Sequence, residues 1–469
     1  MKTLWSILVF ASMQVAAQQA TAPARPGDDD RYRADILLIM AHPDDETGDI
    51  AAYLARAIYE EHRRVAVICI TRGDGGGNAV GNTRAAALGA EREMEGREAL
   101  AFLAVKNVWF LGAPDTPAQD VLRSLEHWDH GSALAQIVRL VRLTRPEVIL
   151  TWLPLYVAGE NHADHQAASV IATEAFDLAG DPTAFAEQLS AGRDDLDFNT
   201  EGLHAWQPQK LYYYSDAYDA GGYWLRNPPI PSPFRKNFLE GAGPQYAATD
   251  VSPSQHRSYA QIAAKEVSFY LTQDGMIGKT ALESGDFKKF EFPTRLVFGK
   301  SLVGGSVTGD VFEAVVARPV PFAPTRGLQE QARRGLSLEF GGSWEFYPKF
   351  WKAHNIERLA QLLPVPEVSV RAGGRLHIPL IVRNDTGISR EVHLMPVLPD
   401  GWRDDTKYQT LPVASGDSYP LMASLSVAET EKNGWREVTW AAEADGQQVG
   451  VVTLRVCVVA RNDDAGLAQ

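Results

Sequence analysis

Between Ala34 and Leu178 the chain alternates short apolar runs with stretches of helical periodicity, and no other feature narrows the fold as far. Residues 35–40 (D-I-L-L-I-M), 65–70, 107–111 and 147–152 have strand length. The intervals between them carry helical spacing: Ile50, Tyr53, Leu54, Ala57 and Ile58 within 50–63, then 84–103, 133–143 and 165–178. Strands alternating with helices imply right-handed crossovers and a doubly wound, mainly parallel, Rossmann-like α/β sheet. Such sheets bind ligands beyond the carboxyl ends of their strands. Chemistry is therefore expected just after Met40, Ile70, Leu111 and Trp152.

The alternation fails over 180–247, a loop-rich insertion with one clear strand at 210–214. A helix is expected at 255–271, and strand-like R-L-V-F-G and D-V-F-E-A-V-V close a domain spanning 34–320. Residues 321–364 read as a linker with one bridging helix. From 365 to 460, alternating strands separated by G-G, N-D-T-G, P-D-G and D-G predict an immunoglobulin-like β-sandwich. At the other end, Lys2, the apolar run 4–15 and V-A-A ending at Ala17 have the pattern of a signal peptide over 1–17, with 18–33 a polar tether. No cysteine follows to take a lipid, so a periplasmic or secreted protein without a membrane anchor is expected. The two cysteines, Cys69 and Cys457, lie in apolar runs and exclude a disulfide scaffold. With 45 basic and 59 acidic residues the net charge is −14, which offers no broad field to nucleic acid.

A-H-P-D-D-E follows the first strand and brings His42, Asp44, Asp45 and Glu46 together. His42 and Asp45 can converge on one cation while Asp44 points elsewhere. Three successive acids are costly to gather unless a cation or solvent neutralises them. Alone, the motif reads equally as an Asp-rich turn capping a helix. E-N-H-A-D-H follows the fourth strand and supplies Glu160, His162, Asp164 and His165. Solvated charge does not explain two such clusters at matching strand ends. His42, Asp45 and His165 make the two-histidine, one-carboxylate set of a hydrolytic zinc site with a free fourth position. His162 can lie near the metal without binding it, and Asp164 can orient one of its ring nitrogens. T-R-G-D-G-G-G-N, 71–78, lacks the spacing of a phosphate or dinucleotide loop and reads as a wall of the site, with Arg72 and Asp74 facing substrate. Tyr212, Tyr213, Tyr214, Tyr218, Tyr223 and Trp224 offer stacking faces for a sugar, although Tyr213 at least is expected in the core.

The two motifs, with L-G-A-E-R-E-M-E-G-R-E-A-L-A-F-L-A-V between them, resemble the PIG-L/LmbE-like family of zinc-dependent N-deacetylases. The likeness covers 34–180 and extends less fully over 255–316. It implies Zn2+ held by His42, Asp45 and His165, with Asp44 as general base. It also implies His162 as electrophile or acid, protonated to stabilise an oxyanion, with Asp164 behind it. Arg92, in the R-x-x-E of the middle helix, would contact substrate hydroxyls or charge; a helix-face ion pair is the plainer alternative. Asp115, in L-G-A-P-D, would be a sugar-binding acid. Glu160 and Asn161 stand where a Tyr-Gly pair is common in the family's small-thiol deacetylases. Tyrosine-assisted catalysis and a thiol-precursor substrate are therefore not carried over.

The expected activity is zinc-dependent hydrolysis of an N-acyl, foremost N-acetyl, amide on an amino sugar or glycoconjugate. Amide hydrolysis on a non-sugar conjugate and a non-catalytic glycan-binding protein are the alternatives. The sandwich is expected to bind glycan or to cover the catalytic domain, and the oligomeric state is not legible.

Overall fold

The structure is a computed structural model that describes residues 31–47, 50–116, 120–155, 162–189, 202–216, 239–323, 335–362 and 365–460. The expected signal peptide and most of the tether lie outside the described residues. So do Glu160, Asn161, Tyr218, Tyr223 and Trp224.

Six strands build the main sheet: β1 (Ile36–Met40), β2 (Val65–Thr71), β3 (Asn107–Ala113), β4 (Val148–Trp152), β5 (Lys210–Tyr214) and β6 (Val297–Ser301). Their order is β6-β5-β4-β1-β2-β3. β1 pairs in parallel with both β2 and β4, and β6 runs antiparallel to β5. The chain thus leaves β1 toward β3 and returns on the other side at β4. The order reverses between β1 and β4, and sheets of this kind bind ligands at the carboxyl ends of the strands on either side of such a reversal. Every residue of β1, β2, β4 and β5 is buried, which is why they read as near-continuous apolar runs.

The helices are α1 (Ala51–Tyr59), α2 (Ala85–Phe102), α3 (Val121–His127), α4 (His130–Thr144), α5 (Ala163–Leu178), α6 (Tyr259–Val267), α7 (Gly275–Ser284) and α8 (Ser343–Ala353). Strand alternation divides the core in two. Leu37, Ile39, Ile68 and Ile149 pack with Ile137, Val141 and Ile171 of α4 and α5. Ile36, Leu38, Met40 and Val67 pack on the opposite face with Tyr53, Leu54 and Leu100 of α1 and α2. α6 begins on a reciprocal cap between Ser258 and Gln261.

Two expectations are corrected. D-V-F-E-A-V-V forms a turn, not a strand: Asp310 accepts the Phe312 amide, and Val311 plugs the core beside Tyr246. Tyr212, Tyr213 and Tyr214 all lie in the core, on alternate faces of β5, so none offers a ring to a ligand.

The C-terminal region is a β-sandwich. One sheet has the order Leu336–Phe340, Arg375–Asn384, Asp417–Ser426, Arg403–Asp404. The other runs Glu367–Arg371, Gln447–Val459, Gly434–Ala444, Arg390–Val397, Thr410–Val413. Leu380 and Val382 of the first sheet meet Val392, Val438, Trp440 and Leu454 of the second. The strand Leu336–Phe340 lies inside the stretch expected to be a linker. α8 follows it and packs Phe350 and Trp351 into the main-domain core.

Candidate active site

The turn after β1 folds back so that Asp45 Oδ2 accepts the amides of Ala41 and His42 at 2.8 and 3.0 Å. Trp152, the last residue of β4, donates its Nε1–H to the same oxygen at 2.7 Å. Oδ1 is left facing outward, 3.1 Å from His165 Nε2 and 3.4 Å from His42 Nδ1. The two ring nitrogens are 3.1 Å apart. Three donor atoms from the two motifs thus form a small triangle at the carboxyl ends of β1 and β4. Burial works against charge on Asp45, but His165 and His42 hold its carboxyl well below the usual carboxylate range. Burial likewise opposes charge on His42, yet Asp45, Asp115 and Asp164 raise it well above the ordinary imidazole value. The pocket is built to hold positive charge.

Two rings back the triangle. Trp152 stacks on His165 with centroids 4.0 Å apart and planes at 17°, and Tyr214 lies against Trp152 at 4.8 Å. Trp152 was not foreseen as a site residue, although its place at the end of β4 was the available signal.

Asp44 sits at φ +97°, in the left-handed region that a non-glycine residue seldom adopts. It is half-buried and makes no side-chain hydrogen bond among the described residues. Burial and its neighbours Asp45 and Glu46 raise its carboxyl well above the ordinary value, against the pull of Arg92 and His42. Glu46 points the other way, into the core, where it accepts the Tyr270 hydroxyl. Glu266 of α6 lies beside it, fully buried.

His162 caps α5, and its Nδ1 accepts the Asp164 backbone N–H at 3.3 Å. The proton of a neutral ring is therefore on Nε2. Burial and the charge of His165 and His42 push His162 down to about 3. That direction favours the neutral ring over the expected protonated one. The expected role of the Asp164 side chain changes. As the second residue of the helix, Asp164 reaches His162 through its backbone. Its carboxylate turns away to accept Thr116 N and Oγ1, both at 2.9 Å, and the Ser124 hydroxyl. One oxygen also lies 3.6 Å from His42 Nε2. Nothing in the sequence pattern signals Thr116 or Ser124.

Arg92 is buried. Its Nη1 and Nη2 donate to the carbonyls of Gly73 and Gly77 at 2.6 and 2.7 Å. Asp115 Oδ2 accepts the Gly75 amide at 2.8 Å, and Oδ1 faces His42 Nε2 at 3.3 Å. Arg72 pairs with Glu93 at 2.9 Å.

Residues 37–176 match a family profile described as PIG-L, GlcNAc-PI de-N-acetylase. A 1D-myo-inositol 2-acetamido-2-deoxy-alpha-D-glucopyranoside deacetylase of Geodermatophilus obscurus is 34% identical over 193 residues, which is 38% of this chain and 60% of the relative. One from Catenulispora acidiphila is 33% identical over 212 residues, 42% of this chain and 59% of the relative. The chain thus spans about three-fifths of the length of these curated relatives. Among solved structures, N,N'-diacetylchitobiose deacetylase from Pyrococcus horikoshii aligns with a TM-score of 0.36 and 15% identity, over 58% of this chain and 86% of that one.

Proposed function

We propose that the PIG-L family domain formed by residues 37–176 is a zinc-dependent N-deacetylase that removes acetate from a 2-acetamido sugar. The observation that carries this reading is the donor triangle. Its edges, His42 Nδ1 to His165 Nε2, His165 Nε2 to Asp45 Oδ1 and Asp45 Oδ1 to His42 Nδ1, measure 3.1, 3.1 and 3.4 Å. Ligands about 2.0–2.1 Å from a tetrahedral ion lie ~3.3 Å from one another. Two imidazoles and a carboxylate with a fourth position open are also the donor chemistry of a hydrolytic zinc centre. Bound there, the ion would supply Lewis acidity toward water and the amide carbonyl.

The chain's own residues do the rest. Asp44, with its raised carboxyl and free oxygens, takes the proton from the attacking water. His162 presents its neutral Nε2–H to the oxygen that gains charge as the amide is attacked. A neutral imidazole donates without having to lose a proton, and its tautomer is fixed by the Asp164 amide. The proton collected by Asp44 passes to the leaving amine. Acetate and a free amino sugar result.

The test is release of free amine from a panel of N-acetylated glucosaminides, including a glucosaminyl-inositol, by the full chain. The panel is run with zinc, after chelation, and with Asp44→Asn. Zinc-dependent release is expected. In the variant, zinc stays near one per chain while kcat falls by roughly 10²–10⁴. Turnover of N-acyl amino acids but of no N-acetyl sugar would sink the substrate reading. Wild-type kcat in Asp44→Asn would sink the mechanism.

A further inference from the structure

The turn after β1 holds a conformation that its own residues disfavour. Asp45 N donates to His42 O at 3.4 Å, so residues 42–45 close one turn, with Pro43 second and Asp44 third. Proline fixes φ at about −65°. Asp44 takes φ +97°. A negative φ followed by a positive one makes a type II turn, whose third place is normally glycine's. The commoner type I turn has the same end-to-end bond and would give Asp44 an ordinary negative φ. The two differ by a flip of the central peptide, which carries the Pro43 carbonyl. A segment far along the chain holds that carbonyl. Gln273, between α6 and α7, donates its Nε2–H to Pro43 O at 2.7 Å. The Pro43 ring itself is buried over Gly96 of α2, where a Cβ would lie 3.6 Å from both Pro43 Cβ and Tyr270 Cε1.

We infer that Gln273 is a positioning residue for the general base: its amide holds the Pro43 carbonyl in the type II orientation and so sets the direction in which Asp44 presents its carboxyl. The inference rests on the reading of Asp44 as general base and deepens it. The segment that carries Gln273 is braced for this work. Gln273 N and Gly275 N both donate to Tyr270 O, at 3.0 and 2.8 Å. A Cβ on Gly275 would come within 2.7 Å of the same carbonyl, so the turn closes only around glycine. Thr272 gives its amide and hydroxyl to Glu95 of α2 at 3.0 and 2.6 Å, and its carbonyl accepts the Ala79 amide at 2.9 Å. Tyr270 donates to Glu46. Residues 270–273 therefore grip the motif both before and after Asp44 and Asp45, from outside the stretch 37–176 that the family profile matches. With Gln273 gone, the central peptide is free to flip. That flip relieves Asp44 and turns its side chain away, while His42 and Asp45, at the ends of the turn, keep their places.

The test uses the full chain and the N-acetylated glucosaminide that it turns over fastest. Gln273→Glu keeps the shape but offers Pro43 O no N–H, and Gln273→Ala removes the group altogether. In both, zinc affinity and the Tm of the metal-free protein should stay near wild type, because the lost hydrogen bond is offset by relief at Asp44. The kcat should fall by about 10²-fold, the cost of a misplaced catalytic group, with KM little changed. In an Asp44→Asn background the same changes at Gln273 should cost almost nothing further, since Gln273 acts through Asp44. A merely structural role gives a different pattern: Tm and zinc affinity fall together with kcat, and the loss persists in Asp44→Asn. That pattern would overturn the inference, as would wild-type kcat in both Gln273 variants. A loss that falls on KM would also overturn it and make Gln273 a contact to substrate. Wild-type kcat in Asp44→Asn alone would instead remove the base on which the inference rests. A wild-type chain that frees no amine from any glucosaminide would overturn the deacetylase reading and this inference with it.

Discussion

Asp45 divides its two carboxylate oxygens between the fold and the site. Oδ2 is saturated by two amides and the Trp152 indole, and Oδ1 is left to the histidines. Asp45→Asn should therefore be harsher than its shape implies. Three N–H groups demand an oxygen at Oδ2, which turns the amide NH2 toward the cation. Zinc affinity should fall by at least about 100-fold while the Tm of the metal-free protein changes little, as titration and thermal melts would show. His162 makes a second forecast. With His162 pushed down to about 3 by burial and its histidine neighbours, the acidic limb of kcat/KM is expected to report Asp44, whose carboxyl is raised. His162→Ala should lower kcat by roughly 10²–10³, the cost of losing one donor to the oxyanion, and leave that limb in place. A limb that disappears would restore a protonated His162. At this scale His42, Asp45 and His165 were legible because each follows a strand end at the reversal of strand order. The contact between Asp115 and His42, and the exchange of roles between the Asp164 backbone and side chain, depend on ring and carboxylate directions. Spacing does not encode those.

The elements that carry these residues were mostly legible, since β1, β2 and β4 are central strands whose burial leaves an unbroken apolar run. α3 and α7 were not foreseen. Each covers only an edge of the core, so few of its residues need be apolar: Val121, Ser124 and Leu125 are buried in α3, and Gly275, Gly278 and Ala281 in α7. α6 carries a less visible feature. Glu266 is fully buried beside Glu46, and two carboxyls in one apolar place do not both ionise. Burial, then Glu46, raises Glu266 well above the ordinary glutamate value. The folded chain thus keeps a proton that the unfolded chain releases near pH ~4.3. Stability from this group is full below that pH and is lost as the pH climbs toward the raised folded value. Glu266→Gln keeps the shape and needs no proton. The Tm of the variant minus that of wild type should be near zero at pH ~4 and grow positive toward neutrality. A difference that stays flat across a series of thermal melts would show that Glu266 is ionised in the fold.

Across the whole molecule the chain crosses between its two parts more than once. Leu336–Phe340 pairs with Leu380–Asn384 in the sandwich, α8 then returns to the main domain, and the remaining strands complete the sandwich. No local pattern announces the pairing of Leu336–Phe340, because its partner strand lies far along the chain. α8 and the residues after it place Phe350, Trp351, Ile356 and Leu359 in the core layer that also holds Ile171 and Phe176 of α5. His354 Nδ1 meets Asp177 Oδ2 at 2.5 Å, and Lys300 Nζ of β6 donates to both Asp177 oxygens at 2.6 and 2.8 Å. Tyr347 donates to Gln166, next to His165. α8 is therefore part of the wall that holds α5, the helix bearing His162 and His165. Burying each large apolar side chain contributes about 1.5–3 kcal/mol, against a total of about 5–15 for a domain. Losing four of them, and leaving Asp177 without His354, removes most of that margin. A chain ending at residue 320 should be insoluble, or melt more than about 10 °C below the full protein, and lose zinc. A chain ending at 362 keeps α8 but strands Leu336–Phe340 without its partner. It should bind zinc with near-native affinity yet aggregate through the bare strand edge. The two fragments separate the causes. If the shorter one melted like the full chain and kept its zinc, α8 would be only a connector, and α5 would hold its residues in place unaided.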